Sequence, residues 1–286
     1  MSDTTTLSTV DEITPEALPE PVSFVDEYAD AARYDSEYGT AGADLTFYTA
    51  LAAELAEGAR VLDVATGTGR VALALAEAGH PVTAVDLNAD MLAVAEAKAE
   101  ALELTDEVTW VEQDARELKV RGKFALAVIG GNALQQFASN ADRAAVLKSV
   151  HRQLEAGGRL AFAVRFPHPA ELARRVESPE IWHSYTAACG SQVVVSGTQR
   201  YDAATQLMTH ETYRQYAVDG TSAATPTTTT LRYALPQELV AALETARFEV
   251  EAVYADFDGT PLTAETSSSA TALVFVARKP VKAAKA

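Results

Sequence analysis

The stretch VLDVATGTGR, residues 61–70, decides the fold. A short apolar run broken only by Asp63 ends at a loop of small residues holding Gly67 and Gly69, then re-enters an amphipathic segment. That order of residues describes a buried parallel strand, a tight turn and a helix N-terminus, a device for holding an adenosine-containing cofactor. The two glycines let the backbone turn and approach a ligand at little steric cost. Asp63 sets the sign of that ligand. A carboxylate beside the turn repels a pyrophosphate and attracts a cationic group. It therefore opposes the dinucleotide reading that G-x-G-x-x-A at residues 67–72 would otherwise support.

Outward from this stretch, apolar strands alternate with amphipathic helices. Strands are predicted near 60–64, 81–86, 107–112, 123–129 and 158–165. Helices are predicted near 68–78, 88–103 and 140–155, the last stopped by Gly157 and Gly158. Before them, residues 22–57 hold two helices, the second with Leu45, Tyr48, Leu51 and Leu55 at helical spacing. The alternation implies a parallel sheet covered on both faces. In such a sheet the ligand lies beyond the carboxyl ends of the strands. Asp86 ends the second strand, where it can accept both hydroxyls of a ribose. Asp114, after the third, is placed to accept from an exocyclic adenine amine.

After Phe166 the pattern changes to longer β segments over 182–233. SQVVVSGTQRY runs into a turn at Asp202, Ala203 and Ala204, then comes LMTHETYRQYAV, a hairpin signal at Asp219-Gly220 and a Thr-rich run. A helix opened by Pro236 follows, then the strands FEVEAVY and ATALVFVAR return to the main sheet. The fold class is therefore α/β. It is a doubly wound, seven-stranded, mostly parallel sheet with an antiparallel insertion before the last two strands.

Composition narrows the function. The 286 residues carry 23 basic and 40 acidic side chains, a net charge of −17. That disfavours nucleic acid and anionic membrane surfaces as partners. With Cys189 alone, neither an intrachain disulfide nor a thiolate zinc cluster can form. The N-terminal segment has no basic and apolar signal pattern, and no apolar run approaches the ~20 residues of a membrane span. A cytoplasmic protein acting on small molecules, without a metal, is the expectation.

The ordered motifs resemble those of class I S-adenosylmethionine-dependent methyltransferases. VLDVATGTGR is similar to that family's first motif, with Ala65 in place of its first glycine. TAVDLNADML resembles the second, EQDARE the third, FALAVIGGNALQQF the fourth and LEAGGRLAFAV the next. In the fourth, Ala125 replaces a common acid. The resemblance implies a Rossmann-like fold with S-adenosyl-L-methionine as cofactor. Asp63, Ala65, Gly67 and Gly69 would hold its methionine end, Asp86 with Leu87 and Met91 its ribose side, and Asp114 with Ala115 its adenine. Gly130 would offer a backbone carbonyl to the ammonium group, unless Gly130-Gly131 is a plain strand-end turn.

Tyr28 and Tyr34, with Tyr38, resemble a lid over the cofactor; the alternative is that they pack one helix on the sheet. The organisation that follows is a disordered tail (1–21), an N-terminal helical lid (22–57), a cofactor-binding core (58–180) and a β-rich substrate cap or homodimer surface (181–233). The end of the core (234–279) and a short tail (280–286) complete it.

Methyl transfer needs an aimed, desolvated acceptor more than it needs catalytic groups. Candidates to meet the acceptor lie on the loops after the fourth and fifth strands. His168, between Pro167 and Pro169, is a candidate base. Asn132 and Gln135 are candidates to orient the acceptor, and Arg165 to pair with an acidic group on it. Trp182 and His183, and His210 beside Glu211 and Tyr213, either line a substrate pocket or are exposed strand residues. The expected function is a methyltransferase acting on nitrogen, oxygen or carbon of a small metabolite, of the kind made in natural-product pathways. An NAD(P)-dependent oxidoreductase and a non-catalytic cofactor-binding or interaction protein are the alternatives.

Overall fold

Val61, Leu62 and Val64 have no exposed surface and Asp63 only 1 %, because the strand they form is covered on both faces. The computed structural model describes residues 25–39, 42–187, 189–218, 221–224 and 226–281. An N-terminal arm holds β1 (Val25–Asp26), α1 (Ala31–Tyr38) and α2 (Ala43–Ala52). The core then alternates through β2 (Val61–Val64), α3 (Arg70–Glu77), β3 (Val82–Asp86), α4 (Ala89–Ala101), β4 (Val108–Glu112) and β5 (Phe124–Ile129). It continues with α5 (Ala133–Gln136), α6 (Asn140–Gln153), β6 (Leu154–Arg165) and α7 (Pro169–Ala173). Next come β7 (Val176–Thr186), β8 (Gln192–Asp202), β9 (Leu207–Val218), β10 (Thr221–Ala224) and β11 (Thr227–Arg232). The last elements are α8 (Pro236–Thr245), β12 (Glu249–Tyr254) and β13 (Ala272–Arg278).

Seven strands form the main sheet in the order β12-β13-β6-β5-β2-β3-β4. The neighbours from β6 to β4 are parallel, whereas β13 runs antiparallel to both β6 and β12. One face packs on α5, α6 and α8 through residues such as Leu134, Leu147 and Leu243; the other packs on α2 and α3 through Tyr48, Leu51, Val71 and Leu75. This is the predicted doubly wound sheet, closed by the two predicted C-terminal strands.

Two details differ from the sequence reading. Gly157 and Gly158 do not stop α6; the helix ends at Gln153, and Leu154 is already extended (ψ 146°) and begins β6. The glycines instead serve a bulge within β6, where the register to β5 slips between Phe124 and Leu126. Gly157 adopts φ +85°, and a Cβ on Gly158 would lie 2.9 Å from the Phe124 carbonyl oxygen. Lys279 donates through Nζ to the His151 and Leu154 carbonyls at 2.9 and 2.7 Å, satisfying acceptors that the helix end leaves open.

The insertion forms a second sheet, order β1-β11-β9-β8-β7, with β10 paired to β9. It is antiparallel except at β1, which comes from the N-terminal arm and pairs parallel with β11. The predicted turn at Asp219-Gly220 and the tail at 1–21 lie outside the described residues.

Candidate functional site

A cavity of about 1680 Å³ opens between the carboxyl ends of the core strands, the N-terminal arm and the inner face of the second sheet. Its floor is the turn after β2. Ala65 has φ +56°, a left-handed backbone that favours glycine, although it carries a Cβ. An L-residue costs roughly 1–2 kcal/mol in that conformation. Gly67 (φ +56°) and Gly69 (φ +78°) complete the turn. Gly69 does not line the cavity. A Cβ there would come within 2.8 Å of both Ala95 Cβ and Trp110 Cη2, so this glycine lets α3 pack closely on α4 and β4.

Asp63 is the buried acid of the floor. Thr66 Oγ1 donates to its Oδ2 at 2.5 Å, while Oδ1 has no hydrogen-bond partner among the described residues. Burial pushes its carboxyl up to about 7; the Thr66 hydroxyl opposes that and the Asp86 charge adds to it. A cation placed beside such an acid would offset the cost of holding its charge out of water. Asp86 is already oriented: its Oδ2 accepts from Gly67 N–H at 2.7 Å and its Oδ1 from Asn88 N–H at 2.9 Å. Each carboxylate oxygen keeps capacity for a further donor.

At the far end of this half, Asp114 accepts from Arg116 through the backbone at 2.8 Å and through the guanidinium at 2.6–3.0 Å. Arg116 also reaches Asp142 at 3.0 Å. The arginine holds the Asp114 carboxyl below its ordinary range. Sequence reasoning had passed over Arg116, two residues along the same turn. Ala115, Leu87, Met91 and Gly130 line the cavity with them.

The arm closes one side. Tyr28, Tyr34 and Tyr38 line the cavity, with ring centroids 5.6 and 4.9 Å apart in succession. Burial raises all three hydroxyls above the usual tyrosine range. The arm is fastened at both ends. Asn88 Nδ2 donates to the Tyr28 carbonyl at 3.1 Å, and Lys98 Nζ donates to Asp35 at 2.6 Å and to the Thr68 carbonyl at 2.9 Å. On the other side, Arg214 of β9 is fully buried, donating to Glu37 at 2.5 Å, to Thr227 at 2.8 Å and to Glu27. Arg33 joins the cluster, 3.0 Å from Glu27 and 3.6 Å from Glu37. Nothing in the local sequence pattern announces this cluster, since its members lie up to 200 residues apart.

The remaining candidates divide. Asn132, Arg165 and Trp182 line the cavity; Gln135, His168 and His183 do not. Gln135 mimics a peptide group, donating to the Arg165 carbonyl at 3.1 Å and accepting from the Arg165 N–H at 2.8 Å, and so holds the exit of β6. The exposed His168 accepts from Ala170 N–H through Nδ1 at 3.2 Å and caps α7. His183 lies 3.2 Å from Glu37, on the arm side. His210 does line the cavity, in the first half of β9. Its signal is the alternation His210, Thr212, Arg214, which puts polar residues on one face of the strand.

A family profile described as a methyltransferase domain matches residues 61–158. The cypemycin N-terminal methyltransferase of a Streptomyces species is 30 % identical over 210 residues, covering 73 % of this chain and 80 % of that protein. The chain belongs to the S-adenosylmethionine-dependent methyltransferases. Among solved structures, the CcbJ methyltransferase from Streptomyces caelestis matches with TM-score 0.72 at 22 % identity, over 90 % of this chain and 99 % of that one. The sugar N-methyltransferase KedS8 from Streptoalloteichus sp ATCC 53650 matches with TM-score 0.66 at 19 % identity, over 91 % and 98 %. The family sets aside the nicotinamide reading, and the methyltransferase's cofactor is S-adenosylmethionine. The unpartnered Asp63 oxygen and the left-handed floor fit that group.

Proposed function

We propose that this methyltransferase methylates the nitrogen of a small polar amine. The donor lies over Asp63 and Asp86, and the acceptor lies against the second sheet, which acts as a substrate cap. Bound S-adenosylmethionine supplies an electrophilic methyl group. The chain's own residues bind, orient and exclude water. Asp63 takes the ammonium end, Asp86 with Leu87 and Met91 the ribose side, Asp114 with Ala115 and Arg116 the adenine, and Gly130 offers its carbonyl. Tyr28 and Tyr34 cover the donor, and Asn132 faces the acceptor.

The observation that carries the choice of nitrogen is the state of the bases in the acceptor half. Each carboxylate lining it is bonded to an arginine: Glu171 to Arg165, Glu180 to Arg174, and Glu27 to Arg33 and Arg214. Burial, and then the Arg165 charge, push His210 down to about 4. A hydroxyl or carbon acceptor wants a base; an amine that arrives neutral does not. The names of the cypemycin N-terminal and sugar N-methyltransferases agree with this choice.

The test supplies S-adenosylmethionine with small amines, phenols and acidic carbon compounds, follows release of S-adenosylhomocysteine, and locates the new methyl by mass spectrometry and NMR. Methylation of amines is the expected outcome. Turnover confined to hydroxyl or carbon acceptors overturns the reading.

A further inference from the structure

The inner face of the cap is built to a pattern that the donor site does not explain. In β9, alternate residues share a face. Register sets Gln199 of β8 opposite His210 on one side and Thr229 of β11 opposite it on the other. All three line the cavity, so an amide, an imidazole and a hydroxyl stand in one row across three strands. With strands roughly 4.8 Å apart, the row spans about 10 Å.

Beside the row stands Trp182. The β7–β8 register slips between Ile181 and His183, which makes Trp182 the extra residue of a bulge. A bulge re-aims a side chain off the strict alternation. The indole then lies over Gly197 of β8, where a Cβ would sit 2.2 Å from its Cη2 and 2.6 Å from its Cζ2. Its ring meets the His210 ring edge-on, centroids 5.7 Å apart at 78°. A bulge and a glycine together thus seat one aromatic ring against the polar row. The charged groups around them, Arg165, Glu171, Arg174, Glu180 and Glu27, are bonded among themselves or to Arg33 and Arg214. The surface left to a ligand is therefore neutral hydrogen-bonding groups next to an apolar face.

We infer that the row Gln199–His210–Thr229, with Trp182 as its wall, determines acceptor specificity by reading hydroxyl groups on the same ring as the amine. The inference rests on the amine reading above, and its test separates the two.

The methyltransferase saturated with S-adenosylhomocysteine is titrated with D-glucosamine and with cyclohexylamine. The imidazole signals of His210, assigned by their loss in His210→Asn, are followed by NMR. In parallel, S-adenosylhomocysteine release from S-adenosylmethionine is measured with both amines for the wild type, His210→Asn and Gln199→Ala. The His210 signals move with D-glucosamine and not with cyclohexylamine. The wild type prefers D-glucosamine in kcat/KM by about tenfold, as one or two hydrogen bonds supply. Both variants lose that preference through KM, with the dissociation constant of S-adenosylhomocysteine unchanged. A still His210 signal under D-glucosamine, or a preference intact in both variants, overturns the row. Shifted signals with neither amine methylated leave the row standing and sink the amine reading instead.

Discussion

The half of the cavity proposed for the donor and the half proposed for the acceptor are built in opposite ways. The donor half is backbone geometry at strand ends: a left-handed turn at Ala65, Gly67 and Gly69, with Asp63 one residue before the end of β2 and Asp86 at the end of β3. The acceptor half is side chains on the flat of a sheet, assembled by register across β8, β9 and β11 and by a bulge in β7. One kind of site is local in sequence and rigid because the chain has few other ways to turn. The other is non-local, and can change its contents without disturbing the turn after β2.

That contrast is broken most easily at the join. Replacing Arg214 with Met leaves Glu27 and Glu37 buried without their main counter-charge. Removing one side of such a pair costs about 3–5 kcal/mol, which is roughly 10 °C in melting temperature for a chain of this size. Adding Glu27→Gln and Glu37→Gln should recover part of the loss. A melting temperature unchanged in Arg214→Met would mean that arm and cap are not held together there.

Asp63→Asn tests the donor half. It should weaken S-adenosylhomocysteine binding by about 3 kcal/mol, roughly a hundredfold by calorimetry. The same change should stabilise the ligand-free protein at pH 8, and the sign follows from linkage. Burial lifts the folded carboxyl to about 7, above the ~3.9 of an unfolded chain. Between those values the native state keeps a proton that the unfolded state has lost, so stability falls as pH rises through that window. Asn removes this slope. Wild-type affinity for S-adenosylhomocysteine should in turn decline as pH drops below 7, because a protonated Asp63 offers no charge to the ammonium group.

Gly197→Ala should act on the acceptor half alone. The new methyl would collide with the Trp182 indole and with the Glu211 carbonyl oxygen, 2.5 Å away, at a cost of about 1–3 kcal/mol. Trp182 fluorescence, read in a Trp110→Phe background, should move to longer wavelength while S-adenosylhomocysteine affinity holds. A loss of that affinity would show the two halves to be coupled. The smallest effect belongs to Ala65→Gly, which relieves a left-handed alanine and should stabilise by at most about 1 kcal/mol, a rise of roughly 2–4 °C.

Legibility in the sequence follows the same division. The strands and helices of the core are readable because apolar periodicity, with Gly67 and Gly69 at the first turn, marks their boundaries within a few residues. The donor candidates gather round one cavity, except Gly69, whose work is packing. The glycine pair 157–158 misled because a bulge and a helix stop draw on the same conformational freedom. His168, the candidate base between two prolines, is instead held on the backbone of its own helix, where it caps α7. Gln135 sat in the right loop but spends both polar atoms on the Arg165 peptide. Arg214 and Trp182 could not be placed without register, because a shift of one residue sends every side chain of a strand to the other face.

The parallel pairing of Val25 and Asp26 with Thr227 and Thr228 bears on how this architecture diversifies. A swap that transplants only residues 176–232 onto another enzyme's scaffold would carry Arg214 away from Glu27 and Glu37. The transplantable unit is two pieces of chain, 25–38 and 176–232, and a chimera that moves both keeps its buried ions matched.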